Sequence, residues 1–224
     1  CSRLLPLDQG ESTLYQCCMK LVCNGCALEA RKRVIRCKCP FCRTPLSQSE
    51  EASLEMIQNR VKVNDPLAIH YLGICYREGN YGLTKDMPRA VELLEQAAEL
   101  GLKEAHVDLG NIFDEDMVNC GIDKDMSKAI EHYEFAAKQG DAIARHNLGI
   151  HEDNSGNYGL ARKHWMISAK LGDKESLDQI KDMYMKGIAS KSDYAEALRG
   201  YHDANKEMSS PERDEYKRSQ RLRE

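Results

Sequence analysis

The chain has 224 residues, a net charge of −4 and ten cysteines, which gives room for one large or two modest domains. No apolar run approaches the ~18 residues of a membrane span, and no signal peptide is visible. Eight cysteines lie in the first 42 residues, a segregation that argues against a secreted fold stapled throughout and for a reducing cytoplasmic or nuclear setting.

Charge divides the chain where the cysteines do. Residues 1–43 hold eight Lys/Arg against three Asp/Glu, a net of +5, and the remainder holds 24 against 33, a net of −9. The chain begins at Cys1 rather than a methionine, which predicts a fragment whose true N-terminus lies upstream.

In the front segment the cysteines fall into four groups: Cys1, the adjacent Cys17-Cys18, Cys23/Cys26 and Cys39/Cys42. The last two groups are C-x2-C knuckles, in which two thiolates turn toward one ion while backbone N–H groups of the turn soften their charge. Four groups in this order can hold two zinc ions in a cross-brace, the first pairing with the third and the second with the fourth. Cys17 and Cys18 are the leading ligands of the second group, with Cys37 as a substitute. A disulfide knot is the competing arrangement, disfavoured by the knuckle spacing. About 43 residues cannot bury enough apolar surface to fold alone, whereas structural zinc supplies on the order of 10 kcal/mol.

The order of groups and the sequence CPFCRTP (Cys39 to Pro45) resemble the RING finger, here as an all-cysteine variant, since no histidine precedes His70. The resemblance implies zinc as cofactor, with Cys1, Cys17, Cys18, Cys23, Cys26, Cys39 and Cys42 as ligands. It further implies a RING-type ubiquitin transferase that positions a conjugating enzyme without covalent chemistry of its own. Pro40 inside the last knuckle and Arg43 after the last ligand match positions that contact the conjugating enzyme and ubiquitin. The partner of Cys1 in a first knuckle is missing, and the expected helix after Cys26 (ALEARKRVIR) lacks the Trp often found near its end. A purely structural zinc module therefore stands beside the ligase reading. Arg31, Lys32, Arg33, Arg36, Lys38 and Arg43 also form a basic stretch able to meet nucleic-acid phosphates. Only Phe41 interleaves with it, so a solvated face that offsets thiolate charge is the better account.

From Thr44 to Asn64 a proline turn and Ser/Glu-rich sequence give way to Leu54, Ile57 and Val61 at helical spacing, predicting a linker and an entry helix. The chain then repeats. Ala68/Leu72-Gly73, Ala105/Leu109-Gly110 and Ala144/Leu148-Gly149 recur at offsets of 37 and 39 residues. Each is followed by a second apolar helix marked by Ala90, Leu94, Ala97-Ala98 and Gly101; Ala129, Tyr133, Ala136-Ala137 and Gly140; or Ala161, Trp165, Ser168-Ala169 and Gly172. A degenerate fourth unit runs from Ser176 through Ile180, Met183 and Gly187 to Ala197, Tyr201 and Ala204. Small residues let crossing helices approach and large ones fill the neighbouring holes. Asp86 and Asp125 sit where N-caps belong, and Gly101, Gly140 and Gly172 where left-handed C-terminal caps belong.

These positions resemble the Sel-1-like repeat, a tetratricopeptide-type unit, over roughly residues 65–205. The resemblance implies a mainly α fold, an α-solenoid of helix–turn–helix repeats, acting as an adaptor that gathers proteins. In such an architecture first helices line the partner groove, which points to HYLGICYREG, VDLGNIFDED and RHNLGIHED, and the acidic balance favours basic or neutral partner segments.

Other constellations stay at background. His70 and Cys75, and His146 and His151, are five apart and share no helical face. Cys120 stands in a predicted loop, and Asp114-Glu115-Asp116 reads as an exposed turn. No phosphate loop, G-x-S-x-G or H-E-x-x-H is present. The tail SSPERDEYKRSQRLRE is charged and is expected to fray or to run as a solvent-exposed helix. The chain thus divides into a RING-like module over 1–46, a linker and entry helix over 47–64, repeats over 65–205 and a charged tail over 206–224. Its expected work is that of a zinc-binding adaptor in which the solenoid binds a protein and the front module recruits a ubiquitin-conjugating enzyme. A non-enzymatic scaffold is the alternative and a nucleic-acid-binding zinc protein the least favoured reading, with no membrane partner.

Overall fold

The computed structural model describes residues 5, 9–32, 38–47, 49–115 and 122–221. It divides into two compact units, Cys1–Leu102 with Met208–Glu224, and Lys103–Glu207, and it is mainly α-helical. Among the described residues no helix is long and apolar enough to cross a membrane.

In the first unit a short 3-10 turn (Gln9–Glu11) leads into an antiparallel hairpin, β1 (Ser12–Tyr15) and β2 (Lys20–Cys23), registered Ser12 to Cys23 and Tyr15 to Lys20. The connecting turn holds Cys17 and Cys18 and closes on Met19 in the left-handed region at φ 52°. Helix α1 (Asn24–Lys32) starts inside the Cys23–Cys26 knuckle rather than after it, because Asn24 anchors its first turn. The Asn24 side chain donates to the Gly10 carbonyl (2.8 Å) and accepts from the Thr13 hydroxyl (2.7 Å). The entry helix forms as expected: α2 (Glu50–Val61) is capped by Ser49 and buries Ile57.

The first repeat is α3 (Pro66–Glu78) and α4 (Met87–Glu99), N-capped by Asp65 and Asp86. The last helix, α11 (Pro211–Arg221), belongs to this same unit and packs against α1. The tail continues as a helix that is exposed over most of its length, one of the two outcomes expected of it, with Arg213 the exception at 5% exposed. Its contact with α1 left no apolar stripe in the sequence, because the helix docks through charged groups and backbone.

The second unit contains α5 (Lys103–Asp114) with α6 (Met126–Lys138), α7 (Ala142–Asn154) with α8 (Tyr158–Lys170), and α9 (Lys174–Met185) with α10, which runs from Lys191 to Met208. Asp125, Asp141 and Asp173 cap α6, α7 and α9, each carboxylate accepting the backbone N–H three residues on. Gly101, Gly140 and Gly172 follow the last turns of α4, α6 and α8 at φ 84°, 82° and 100°, the backbone region that lets the orphan C-terminal carbonyls find N–H partners.

The recurring Leu-Gly pair explains why each helix pair closes tightly. A Cβ built on Gly110 would lie 2.5 Å from the Tyr133 ring, and one on Gly149 2.4 Å from the Trp165 indole; at Gly73 the Leu94 side chain stands 3.2 Å away. The glycine of each first helix is a socket and the large residue of the second helix is its knob. Trp165 also shares a core with Ala161, Ala169, Leu177, Ile180, Met183, Ala189 and Ala197, so residues of the degenerate fourth unit pack against α8.

Candidate metal centre and partner pocket

Four cysteines from two segments converge. The β1–β2 turn presents Cys17 and Cys18, the second knuckle presents Cys39 and Cys42, and all four sulfurs lie within 4.8 Å of one another. The knuckle is shaped by its backbone: Cys39 N donates to the Thr44 carbonyl (2.8 Å), Arg43 N to the Cys39 carbonyl (3.0 Å), and Lys38 bridges to Pro45. Arg43 takes the left-handed conformation at φ 61° to close it, and the Phe41 N–H faces the Cys39 sulfur at 3.5 Å.

Cys17 and Cys42 sulfurs are 3.3 Å apart, and Cys18 and Cys39 sulfurs 3.6 Å. Four sulfurs at about 2.3 Å from a tetrahedral ion would be separated by about 3.8 Å, so the donor set fits a single metal ion with little adjustment. No disulfide joins the seven described cysteines. The thiols lean on one another, and burial with the hydrogen bond to Cys39 pushes Cys18 up to about 11. Cys17 rises still further through burial and its contacts with Cys42 and Cys39. Cys42, hydrogen-bonded to the Thr44 hydroxyl, falls to about 6. Four thiolates held this close would repel one another, and a bound cation would relieve that repulsion.

Cys17 and Cys18 thus both lie in one cluster with Cys39 and Cys42, while Cys37 and Cys1 lie outside the described residues. Cys23 and Cys26 are not part of this cluster. They form their own knuckle at the start of α1, where the Cys26 N–H faces the Cys23 sulfur at 3.5 Å. Burial opposes ionisation of Cys23, but the Arg213 guanidinium and the Cys26 N–H outweigh it and hold this thiol below its ordinary range.

Pro40 is half-buried and Arg43 exposed beside the cluster. Phe41 is taken on one side by the Tyr15 edge (centroids 6.0 Å) and approached by the Lys20 ammonium at 5.1 Å. Of the basic stretch, Arg31, Lys38 and Arg43 are exposed, Lys32 pairs with Glu29 and Glu215 at 2.7 and 2.6 Å, and Arg33 and Arg36 lie outside the described residues.

In the second unit a cavity of about 210 Å³ is lined by Asn111, Asp114 and Glu115 from the end of α5, Tyr133 from α6, and Asn147 and Ile150 from α7. The Tyr133 hydroxyl donates to the Asn111 side-chain oxygen (2.8 Å), which also accepts from the Asn147 amide (3.0 Å). Burial first, then the charge of Asp114, pushes the Tyr133 phenol well above its usual range, and Asp114 and Glu115 make one side of the wall acidic. The triplet expected as an exposed turn is split: Asp114 closes α5 and pairs with Lys124 at 3.5 Å, Glu115 follows it, and Asp116 lies outside the described residues.

The constellations set aside on spacing are structural. Cys75 is buried and its thiol pushed up to about 11 by that burial, while Cys120 lies outside the described residues. His146 meets Ser176 and Asp173, a grouping not apparent from sequence. However, Ser176 Oγ (2.9 Å) and Asp173 Oδ2 (3.4 Å) both face Nδ1, and Ser176 is 0% exposed. A nucleophilic triad needs the two partners on opposite ring nitrogens and an accessible hydroxyl, so these residues lock the start of α9. A second pair missed from sequence, His106 and His132, meets Nδ1 to Nδ1 at 2.9 Å beneath Phe135; 26 residues and no motif separate them.

Residues 66–102 and 103–141 match the family model described as the Sel1 repeat. Among solved structures the chain is similar to a protective antigen present in uropathogenic Escherichia coli strains displaying an SLR fold, at 21% identity and a TM-score of 0.61, covering 72% of this chain and 35% of that one. It is also similar to a Sel1 repeat protein from Oxalobacter formigenes, at 22% identity and a TM-score of 0.60, covering 73% of this chain and 67% of that one. The chain spans about a third of the antigen's length. Comparison with curated proteins returns no match. These likenesses establish an α-solenoid class of fold built from helix pairs.

Proposed function

We propose that this protein is an interaction adaptor: its helix pairs hold a protein segment, and its front module is a zinc-stabilised domain. The observation that carries the first part is the cavity at Asn111, Asp114, Tyr133 and Asn147, where side-chain amides meet an acidic wall on first helices of the repeats. Amides can pair with the backbone of an extended peptide and the wall favours a basic side chain on it. Cys17, Cys18, Cys39 and Cys42 would hold the ion, whose role is to supply folding energy to a segment too small for a sufficient core.

Selection of peptides from a random library on the intact zinc-loaded chain tests the adaptor reading. Enriched sequences should carry Lys or Arg and lose about tenfold in affinity to an Asn147→Ala variant. Peptides without a basic residue, or indifferent to that change, would sink the assignment of the pocket.

Recruitment of a ubiquitin-conjugating enzyme is a second reading, favoured by the exposed Arg43 directly after Cys42 beside the four sulfurs. It expects autoubiquitination with at least one enzyme of a conjugating-enzyme panel, reduced in an Arg43→Ala variant. Absence of chains with every enzyme leaves the non-enzymatic scaffold.

A further inference from the structure

The turn that carries Cys17 and Cys18 also touches the first repeat. Gln16, the residue before Cys17, donates its side-chain amide to the Tyr81 hydroxyl at 3.2 Å, and that hydroxyl meets the Tyr71 hydroxyl at 3.0 Å. Tyr71 stands on α3 and Tyr81 on the connection from α3 to α4, with ring centroids 6.3 Å apart. All three side chains belong to partly buried residues, so they form one polar chain that begins beside a cysteine of the four-sulfur cluster and ends inside a repeat. The backbone at Tyr81 is left-handed at φ 57°, a region that a bulky residue enters at a cost and keeps where its surroundings over-determine it. Glycine or asparagine would sit there more easily, so the side chain aimed between Gln16 and Tyr71 accounts for the tyrosine. Tyr71 in turn immediately precedes Leu72-Gly73, as Asn147 immediately precedes Leu148-Gly149. Where the third repeat presents Asn147 to its cavity, the first repeat presents a phenol already engaged by the front module.

Four sulfurs on one ion fix the β1–β2 turn to the second knuckle, whereas thiol contacts alone, weak as donors and acceptors, hold it far less firmly. Gln16 is covalently next to one of those sulfurs' residues, and its hydrogen bond survives only while the turn keeps its place. Resting on the reading of the front module as a zinc domain, we propose that the Gln16–Tyr81–Tyr71 chain couples metal occupancy at Cys17, Cys18, Cys39 and Cys42 to the order of the first repeat at its α3–α4 connection. With metal bound, Gln16 is held where it anchors Tyr81, and Tyr81 holds Tyr71. Without metal, Tyr81 loses the contact that compensates its left-handed backbone, and residues 79–86 loosen. Gln16 and Tyr81 are positioning residues in this arrangement: neither touches the ion. The coupling is reciprocal, so what zinc gives to the connection, the connection gives back to zinc affinity.

The test uses the full chain, prepared zinc-free and then titrated with zinc against a chromophoric competing chelator, with amide hydrogen exchange followed on both forms. Zinc slows exchange in residues 79–86 by about tenfold, the mark of a local opening made rarer, while exchange within Lys103–Glu207 stays unchanged as an internal control. Tyr81→Phe keeps the ring and removes the shared hydroxyl. It abolishes the slowing and weakens zinc binding about fivefold, the lower end of couplings between sites, a loss that a merely structural tyrosine in a repeat would not cause. Gln16→Ala, cut at the other end of the chain, does the same. If the wild-type chain takes up zinc yet residues 79–86 exchange equally with and without it, or if the slowing and the zinc affinity survive both substitutions, the coupling is overturned while the metal module stands. If the wild-type chain takes up no zinc at all, both fall together.

Discussion

At the residue scale the glycine sockets give the sharpest expectation. At Gly149 the indole of Trp165 occupies the space of any added methyl group, and both partners sit on helices. Gly149→Ala should therefore cost about 1–3 kcal/mol in denaturant unfolding, the range of overpacked cores, with Gly110→Ala similar against Tyr133. At Gly73 the neighbour is the more adaptable Leu94 at 3.2 Å, and the same change should cost less. Equal effects at all three would show that socket geometry is not what limits the pairs. These residues were legible in the sequence because Leu-Gly recurs in the first helix of each unit and a large residue stands at the corresponding place in the second. The His106–His132 pair was not, since nothing local marks two histidines that meet only after two helices fold together.

That pair makes the α5–α6 unit acid-sensitive. Burial, then the neighbouring His106 and Lys128, holds His132 down at about 4 against an ordinary value of 6.5. The unfolded chain binds a proton below about 6.5 that the folded chain refuses until about 4, so stability is intact above this window and falls as pH drops through it. The ring is only half-buried, and the loss is set on the order of 1–2 kcal/mol. Chemical denaturation at pH 7.5 and pH 5 should show it, and His132→Phe should flatten the difference; an unchanged slope in that variant would assign the acid sensitivity elsewhere. Helix boundaries were readable at this scale, because Asp caps and terminal glycines state them in local chemistry. The start of α1 was not, because Asn24 is fixed by Gly10 and Thr13 from the preceding hairpin.

For the molecule as a whole, metal removal should act on one unit. A strong chelator should loosen the hairpin and the second knuckle, and should leave helical circular dichroism largely intact, since the helix pairs of Lys103–Glu207 contain no cysteine among their described residues. A cooperative loss of most helix on chelation would contradict this. The repeats were predictable at this scale from their period, and the four-sulfur cluster from its order of groups. The return of the C-terminus was hidden, because a helix held by a buried arginine and by backbone proximity leaves only charged letters in the sequence, the same letters a frayed tail would leave.

The knobs of the repeats do more than fill their sockets. The Tyr133 ring is buried against Gly110, yet its hydroxyl orients the Asn111 amide, which in turn receives Asn147 at the cavity wall. The wall of this cavity is thus wired to an interior position. A Tyr133→Phe change, invisible from outside and nearly isosteric within, would leave the Asn111 oxygen held by the Asn147 amide without the phenol and loosen both amides at the cavity wall. Binding preference in such a protein can drift through substitutions that no inspection of its surface residues would flag.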